Sequence, residues 1–137
     1  MNGNFTVGMT HEITIKTLNE YSAQNFFPNL PDVFATPYLG GFMERASAEL
    51  IDKQLAEGWQ SVGISMNLQH LAATPLGMEV RIVTKISAVE GRKLTFDIEA
   101  YDEMEKIGTA MHERFIIDAK KFNDRVAAKA AKWEGNK

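Results

Sequence analysis

The hydrophobic periodicity of the chain changes once, and this change constrains the fold more than any other feature. From Pro37 to about Gly58, apolar residues recur every three to four positions, as they do in a helix. Beyond Gly58 the period becomes two, that of a β-strand, in four segments separated by turn signals such as Glu90-Gly91. Strands joined by short turns pair antiparallel, and a long apolar helix must cover one face of their sheet. The pattern therefore predicts an α+β layer arrangement.

Two further elements complete the predicted order. A strand is predicted between Phe5 and Leu18, and the helix after the last strand carries an apolar stripe that ends at Trp133. The predicted order is a strand, one long helix, four strands joined by hairpins, and a C-terminal helix. The length of 137 residues fits a single domain, which we expect to span residues 1–137.

Composition excludes several classes of protein. The chain has no cysteine, which rules out a disulfide framework and a cysteine nucleophile. Its net charge of −3 offers no general basic field for nucleic acid, and the basic residues near the C-terminus are interpreted as a solvated helix face. Since no apolar run is long enough to span a membrane and no signal-peptide pattern is evident, we expect a cytoplasmic protein without membrane or nucleic-acid partners. The histidines lack metal-ligand spacing, so no metal is expected.

The long helix carries two polar residues that its apolar pattern does not require. Thr36 is predicted to cap the helix, with Pro37 at the first helical position. Glu44 falls on a flank of small and apolar residues, away from the charged side of the helix. On the structural interpretation, Glu44 reaches solvent at a rim or pairs with a cation. On the functional interpretation, it lies in a cleft.

The first strand after the long helix ends in a histidine. Strict alternation places His70 on the same face as Val62, Ile64 and Leu68, which should contact the helix. Taken alone, it is most simply a core histidine. Together with Thr36 and a helix carboxylate at one helix–sheet interface, it would supply the hydroxyl, imidazole and carboxylate that acyl transfer needs.

Five segments of the chain carry a resemblance to a known family. They are VFATP, GFMERA, SVGISMNLQHLAATPLGMEV, VEGRKLTFDIEAYD and IGTAMHERFIID. They are similar to segments of the hot-dog-fold acyl-CoA thioesterases, in particular the fluoroacetyl-CoA thioesterase-like group. With the residues before Val33, the resemblance covers nearly the whole chain. It implies a hot-dog fold, in which an antiparallel sheet wraps around one long central helix, here followed by a C-terminal helix.

The resemblance also implies an active site and an activity. Thr36, Glu44 and His70 correspond to the catalytic threonine, carboxylate and histidine of the family. Gly63 corresponds to the glycine whose backbone lies beside the thioester, and Arg114, in HERF, to an arginine near the active site. The activity implied is hydrolysis of an acyl-CoA thioester to free acid and coenzyme A. Coenzyme A then belongs to the substrate, and no other cofactor is expected.

Selectivity and assembly are further implications of the resemblance. Phe27 corresponds to one aromatic residue of a lid over the acyl pocket, whereas Leu30 stands where fluoroacetate-selective members carry another aromatic. The sequence therefore leaves the acyl group, small or medium, open. The family also implies a homodimer whose two sheets pair edge to edge, which would cover the exposed edge of a meander.

Several alternatives stay open at the level of sequence. Glu44 either activates water, supports Thr36 or attacks the thioester itself. A hydratase or dehydratase on the same scaffold is disfavoured, because the early helix, Pro37 to Gly41, carries no Asp or His. A module that binds acyl-CoA without turnover and an interaction domain with a structural Glu44 and His70 are the remaining readings.

Overall fold

The structure, a computed structural model, describes residues 3–137 and contains five strands and two long helices in that range. The elements are β1 (Thr10–Lys16), α1 (Thr36–Asp52), β2 (Trp59–His70), β3 (Glu79–Glu90), β4 (Lys93–Tyr101), β5 (Lys106–Asp118) and α2 (Ala119–Gly135). Two 3-10 turns, Asn19–Tyr21 and Ala23–Asn25, lie between β1 and α1. The predicted order of one strand, a long helix, four strands and a final helix is confirmed.

The core lies between α1 and the inner face of one antiparallel sheet. The helix buries one apolar face, and β3 and β4 bury alternate residues that match the predicted period of two. The principal members are Leu39, Met43, Ala46, Leu50, Ile51, Val80, Ile82, Ile86, Leu94, Phe96 and Ile98. Full burial of one such large side chain contributes about 1.5–3 kcal/mol relative to exposure. The predicted α+β class, a sheet around one central helix with a C-terminal helix, is confirmed.

The sheet order is β1-β3-β4-β5-β2, so β2 pairs with β5 and not with β3. The predicted hairpin between β2 and β3 is therefore wrong. The segment between them, residues 71–78, is bound instead to the chain just before α1. Phe34 N–H donates to the carbonyl of Thr74 at 3.0 Å, and Val33 forms an isolated bridge with Pro75. These bonds carry the chain past the start of α1 to the opposite side of the sheet.

A β-bulge interrupts β2 at its midpoint. Gly63 lies opposite Arg114, but Ser65 lies opposite Glu113, so Ile64 is an extra residue on β2. A bulge of one residue reverses which side chains face the core beyond it.

The bulge corrects the predicted orientation of the first half of β2. Strict alternation predicted that Ile64 would contact the helix with Leu68 and His70, but Ile64 is exposed. Gly63 takes the inward position in its place, because a side chain there would contact α1. Leu68 and His70, beyond the bulge, are partly buried as predicted.

The start of α1 also differs from the prediction. The helix begins at Thr36 and its cap residue is Ala35, which makes no side-chain capping bond. Thr36 is therefore not the cap, and Pro37 is the second helical residue and not the first. The hydroxyl of Thr36 bonds to β2 instead of to its own helix. The helix ends at Asp52, before the predicted stop at Gly58, which has a φ of 90° and precedes β2.

The C-terminal helix contributes little to the core. Asp118 caps it by accepting a bond from Lys121 N–H at 3.1 Å, and none of its residues is fully buried. Among residues 3–137, no helix is both long enough and apolar enough to cross a membrane.

Candidate active site

A hydroxyl and an imidazole meet at the N-terminal end of α1. Thr36 is the first residue of α1 and His70 is the last residue of β2, and Thr36 Oγ1 lies 2.6 Å from His70 Nδ1. Burial lowers the pKa of His70, so its neutral form is favoured. Its other ring nitrogen, Nε2, is buried without a hydrogen-bond partner within the described part of the chain. This pair has the geometry of a hydroxyl held by a base, with one nitrogen left for a further partner.

An apolar pocket of about 550 Å³ opens beside this pair. Its lining includes Thr36 and His70 on one side and the chain before α1 on the other. Leu30, predicted for the lid, lies in this lining. Phe27, the other predicted lid residue, is 55% exposed and is not among the lining residues. The adjacent Phe26 takes that place, with its ring 5.7 Å from the ring of Tyr38.

The carboxylate of Glu44 lies against the β2 bulge. The Glu44 side chain is 51% exposed, but a Cβ atom built on Gly63 would lie only 2.7 Å from Glu44 Oε2. Contacts this short do not occur between real side chains, so a larger residue at position 63 would force the Glu44 carboxylate to shift, and glycine admits it in its present place. Glu44 Oε2 also lies 3.7 Å from Nη1 of Arg114. The helix carboxylate therefore sits at a rim, between the backbone of one strand and a cation of the next.

Arg114 is held by a buried network that the sequence interpretation missed. The side chain is 5% exposed and donates from Nε to Ser61 Oγ at 2.9 Å and from Nη2 to the Ser61 carbonyl at 3.0 Å. Its Nη1 lies 3.2 Å from Nε2 of His112. Burial lowers the pKa of Arg114, and Glu44 opposes this shift. A usable signal was present, because His112 and Arg114 occupy alternate positions of β5 between the buried Ala110 and Ile116.

The predicted site residues thus form two separate polar clusters within one chain. Glu44 lies eight residues after Thr36 on α1, which is about 12 Å along the helix axis at a rise of 1.5 Å per residue. Leu68 lies between them, next to Gly40, with its side chain 3.6 Å from the place a Cβ would take. Thr36 and His70 are brought together, as are Glu44, Gly63 and Arg114. The predicted meeting of Thr36, Glu44 and His70 at one point of the helix–sheet interface is not formed within one chain.

The chemistry available is that of acids, bases and a nucleophile. Within residues 3–137, no cluster of three or more histidine or carboxylate side chains is arranged to hold a metal ion. A neutral imidazole bound to a hydroxyl, an apolar pocket and a carboxylate facing a glycine backbone are suited to reaction at a carbonyl carbon.

Solved structures define the class of protein. The chain superposes on a structure of the fluoroacetyl-CoA thioesterase with a TM-score of 0.88 and 31% identity, covering 92% of this chain and 98% of that one. It also matches a thioesterase superfamily member from Thermus thermophilus, with a TM-score of 0.89 and 26% identity over 95% of this chain and 96% of that one. A hot-dog-like protein from Thermanaerovibrio acidaminovorans matches with a TM-score of 0.85 and 25% identity over 91% and 93% of the two chains. The fold is therefore the hot-dog fold of the thioesterases.

Sequence comparison then gives the family. The model of the fluoroacetyl-CoA-specific thioesterase family matches residues 18–120. The fluoroacetyl-CoA thioesterase of Streptantibioticus cattleyicolor is 36% identical over 124 residues, which are 88% of this chain and 89% of that protein. The chain belongs to the fluoroacetyl-CoA-specific thioesterase family, and the resemblance inferred from its motifs is confirmed.

Proposed function

We propose that this protein hydrolyses the thioester of an acyl-CoA, releasing the free acid and coenzyme A. The observation that carries the proposal is the 2.6 Å contact between Thr36 and His70 at the mouth of an apolar pocket of about 550 Å³. The pocket would take the acyl group, and its apolar lining favours an unbranched or branched hydrocarbon of small or medium size. A cytoplasmic location is part of the proposal, because the cysteine-free composition is compatible with a reducing compartment.

Hydrolysis forms a C–O bond to the carbonyl carbon and breaks the C–S bond, and the leaving sulfur takes up a proton. Neutral His70 would accept a proton from the attacking group and deliver one to the sulfur. Thr36 would either orient the carbonyl while water attacks it, or attack the carbonyl itself, in which case water hydrolyses the resulting threonine ester in a second step and releases the acid. The N–H groups of Thr36 and Tyr38 precede the first intrahelical bond, from Leu39 N–H to Ala35 O at 3.0 Å, and so could stabilise the oxyanion.

We further propose a homodimer that completes the site. The outer edge of β2, Trp59–His70, pairs with no strand among the described residues, and a free edge of this length is normally covered. Three apolar side chains next to it, those of Ile64, Met111 and Phe115, are exposed. Pairing β2 with the β2 of a second copy would cover this edge, as the family resemblance also implies.

Such a dimer would unite the two polar clusters. A two-fold axis between Met66 and Asn67 of β2 would set the His70 of one copy opposite Gly63 of the other, and so near its Glu44. Nε2 of His70 lacks a partner and has almost no exposed surface within residues 3–137, so a small turn of the ring would bring it to that carboxylate in the dimer. Glu44 would orient His70 or activate water from across the interface.

The experiment that tests the proposal is thiol release from purified protein with short, branched, long and aromatic acyl-CoAs. We expect saturable release by the wild type and loss of release in Glu44→Gln. The matched control is Glu49→Gln, the same change on the same helix, at a carboxylate that binds His11 and Arg45 instead. Absence of release from every acyl-CoA by folded wild type would contradict the proposal, and competition binding with the same compounds would then identify a binding module.

A further inference from the structure

The hydrogen-bond partners of His112 determine its protonation state. The imidazole is 1% exposed, and Nδ1 lies 2.7 Å from the carbonyl oxygen of Ser65, which can only accept a hydrogen bond. Nε2 lies 3.2 Å from Nη1 of Arg114, which can only donate one. Nδ1 must therefore carry the hydrogen and Nε2 must be free to accept. Both bonds are made only by the neutral Nδ1–H tautomer.

His112 and Arg114 bind β2 on both sides of the bulge. His112 donates to Ser65, which follows the extra residue Ile64, and Arg114 donates twice to Ser61, which precedes it. The bond between Arg114 and His112 joins the two contacts into one buried network. This network fixes the bulge by side chains of the neighbouring strand, in addition to the ladder bonds of the sheet.

The bulge in turn determines what Glu44 meets. The place that a Cβ would take at Gly63 is 2.7 Å from Glu44 Oε2 and 3.3 Å from Cε1 of His112. The carboxylate and the imidazole thus pack against the same glycine. Nη1 of Arg114, from which His112 accepts a hydrogen bond, also lies 3.7 Å from Oε2 of Glu44.

We propose that His112 is a positioning residue for the reaction: as a neutral acceptor it holds Arg114 and the β2 bulge in the arrangement that seats Glu44 against Gly63. The expected change in kcat rests on the proposed function, whereas the hydrogen-bond network of His112 and Arg114 does not. Burial is the largest cause of the lowered pKa of His112, and the charge of Arg114 acts in the same direction. The Ser65 carbonyl, Glu44 and Glu113 oppose the shift.

Two variants test separately the hydrogen bond that His112 accepts and the one that it donates. His112→Gln can place an amide oxygen near the position of Nε2 and keep an acceptor for Arg114, whereas His112→Asn places an amide N–H near Nδ1 and keeps only the donor to Ser65. We expect kcat to fall about 10–100-fold in His112→Asn, with KM little changed, because the carboxylate is misplaced rather than removed. His112→Gln should recover most of this loss. Ile116→Val, on the same buried face of β5, is the control for lost packing.

A purely structural role predicts a different result. In that case His112→Gln has no higher kcat than His112→Asn. The two variants then either lose thermal stability and kcat together or keep the wild-type kcat, and each of these results overturns the proposal. Nitrogen NMR of the wild-type imidazole tests the structural content without any substrate. We expect the neutral Nδ1–H tautomer across the neutral pH range, and an Nε2–H tautomer or an imidazolium would overturn it. If the wild type has no thioesterase activity but shows the expected tautomer, the proposed function fails while the network stands.

Discussion

Replacing Gly63 with alanine tests whether the position of the Glu44 carboxylate against Gly63 matters for activity. The added methyl group would lie 2.7 Å from Glu44 Oε2, whereas an ordinary carbon–oxygen contact is about 3.3–3.6 Å. The carboxylate must therefore move by about 0.6–0.9 Å, given that ordinary contact distance. It can do so because the Glu44 side chain is 51% exposed.

The expected loss of kcat/KM follows from this displacement of the carboxylate. A misplacement of about 1 Å in a catalytic group can reduce the rate about 100-fold, so we expect kcat/KM to fall about 10–100-fold in Gly63→Ala. Stability should change by less than about 1 kcal/mol, because alanine restricts the unfolded chain and offsets part of the tight contact with His112. The variant should therefore remain folded while its activity falls.

The assay is thiol release from the best acyl-CoA, together with thermal unfolding of each variant. Gly135→Ala is the control, since the same change there meets nothing within 4 Å and lies outside the site. Adding Glu44→Gln to Gly63→Ala should cause little further loss if both changes act through the same carboxylate. The reasoning is refuted if Gly63→Ala keeps wild-type kcat/KM while Glu44→Gln alone does not.

Three further predictions concern the dimer, the histidine and the ion pair. Mixing equal amounts of Glu44→Gln and His70→Asn chains and letting the subunits exchange should restore about one quarter of wild-type activity. Half of the dimers are then mixed, and each mixed dimer has one intact site of its two. A site formed within one chain predicts no recovery. Burial lowers the pKa of His70 within one chain, whereas the Glu44 carboxylate proposed at Nε2 would raise it. The pKa of His70 followed by NMR should therefore be lower in Glu44→Gln than in the wild type, and an unchanged pKa would contradict the proposed contact. Glu44→Leu should lower the free energy of unfolding in urea titrations by about 1 kcal/mol more than Glu44→Gln, because leucine removes the polar group beside Nη1 of the buried Arg114 that glutamine keeps. Equal stability of the two variants would show that a polar group at position 44 contributes nothing to holding Arg114.

Local periodicity predicted most of the fold. The alternation from Val80 to Ile86 and from Leu94 to Ala100 gave strands whose buried faces are those observed, because side chains on a strand alternate regardless of its neighbours. The turn at Glu90-Gly91 was also predictable, since Gly91 has a φ of 62°, which glycine adopts without strain. These features depend on residues close in sequence.

Features that depend on distant residues were not predictable in the same way. The pairing of β2 with β5 rests on contacts between segments far apart in the chain, and alternation carries no information about which strand is the neighbour. The bulge at Ile64 leaves no mark on an alternating pattern, so the pattern assigned Ile64 to the core. Thr36 has the residue type and position of a helix cap, but its hydroxyl is bound by His70 from another element.

The candidate site was also predictable only in part. Its residue types were found from the sequence and the family motifs, but their grouping was not. A helix of α1's length separates residues eight positions apart by about 12 Å, so a carboxylate and a hydroxyl on one helix cannot serve the same carbonyl unless something else brings them together. Apart from the family resemblance, the pattern of residues offers no signal for the second copy that we propose fills this role, except the unpaired edge that every such sheet presents.

Glu44 occupies an apolar flank of α1 because the strand facing it has a gap at that point. On a regular strand, a side chain would fill the space next to the helix, and a carboxylate there would be desolvated. The bulge instead presents Gly63, and the guanidinium of Arg114 lies 3.7 Å away, so the carboxylate has room and a compensating charge. The Glu44 side chain beside this buried cation remains 51% exposed. The same arrangement that lets the chain tolerate Glu44 therefore leaves it available to a substrate or to a second copy.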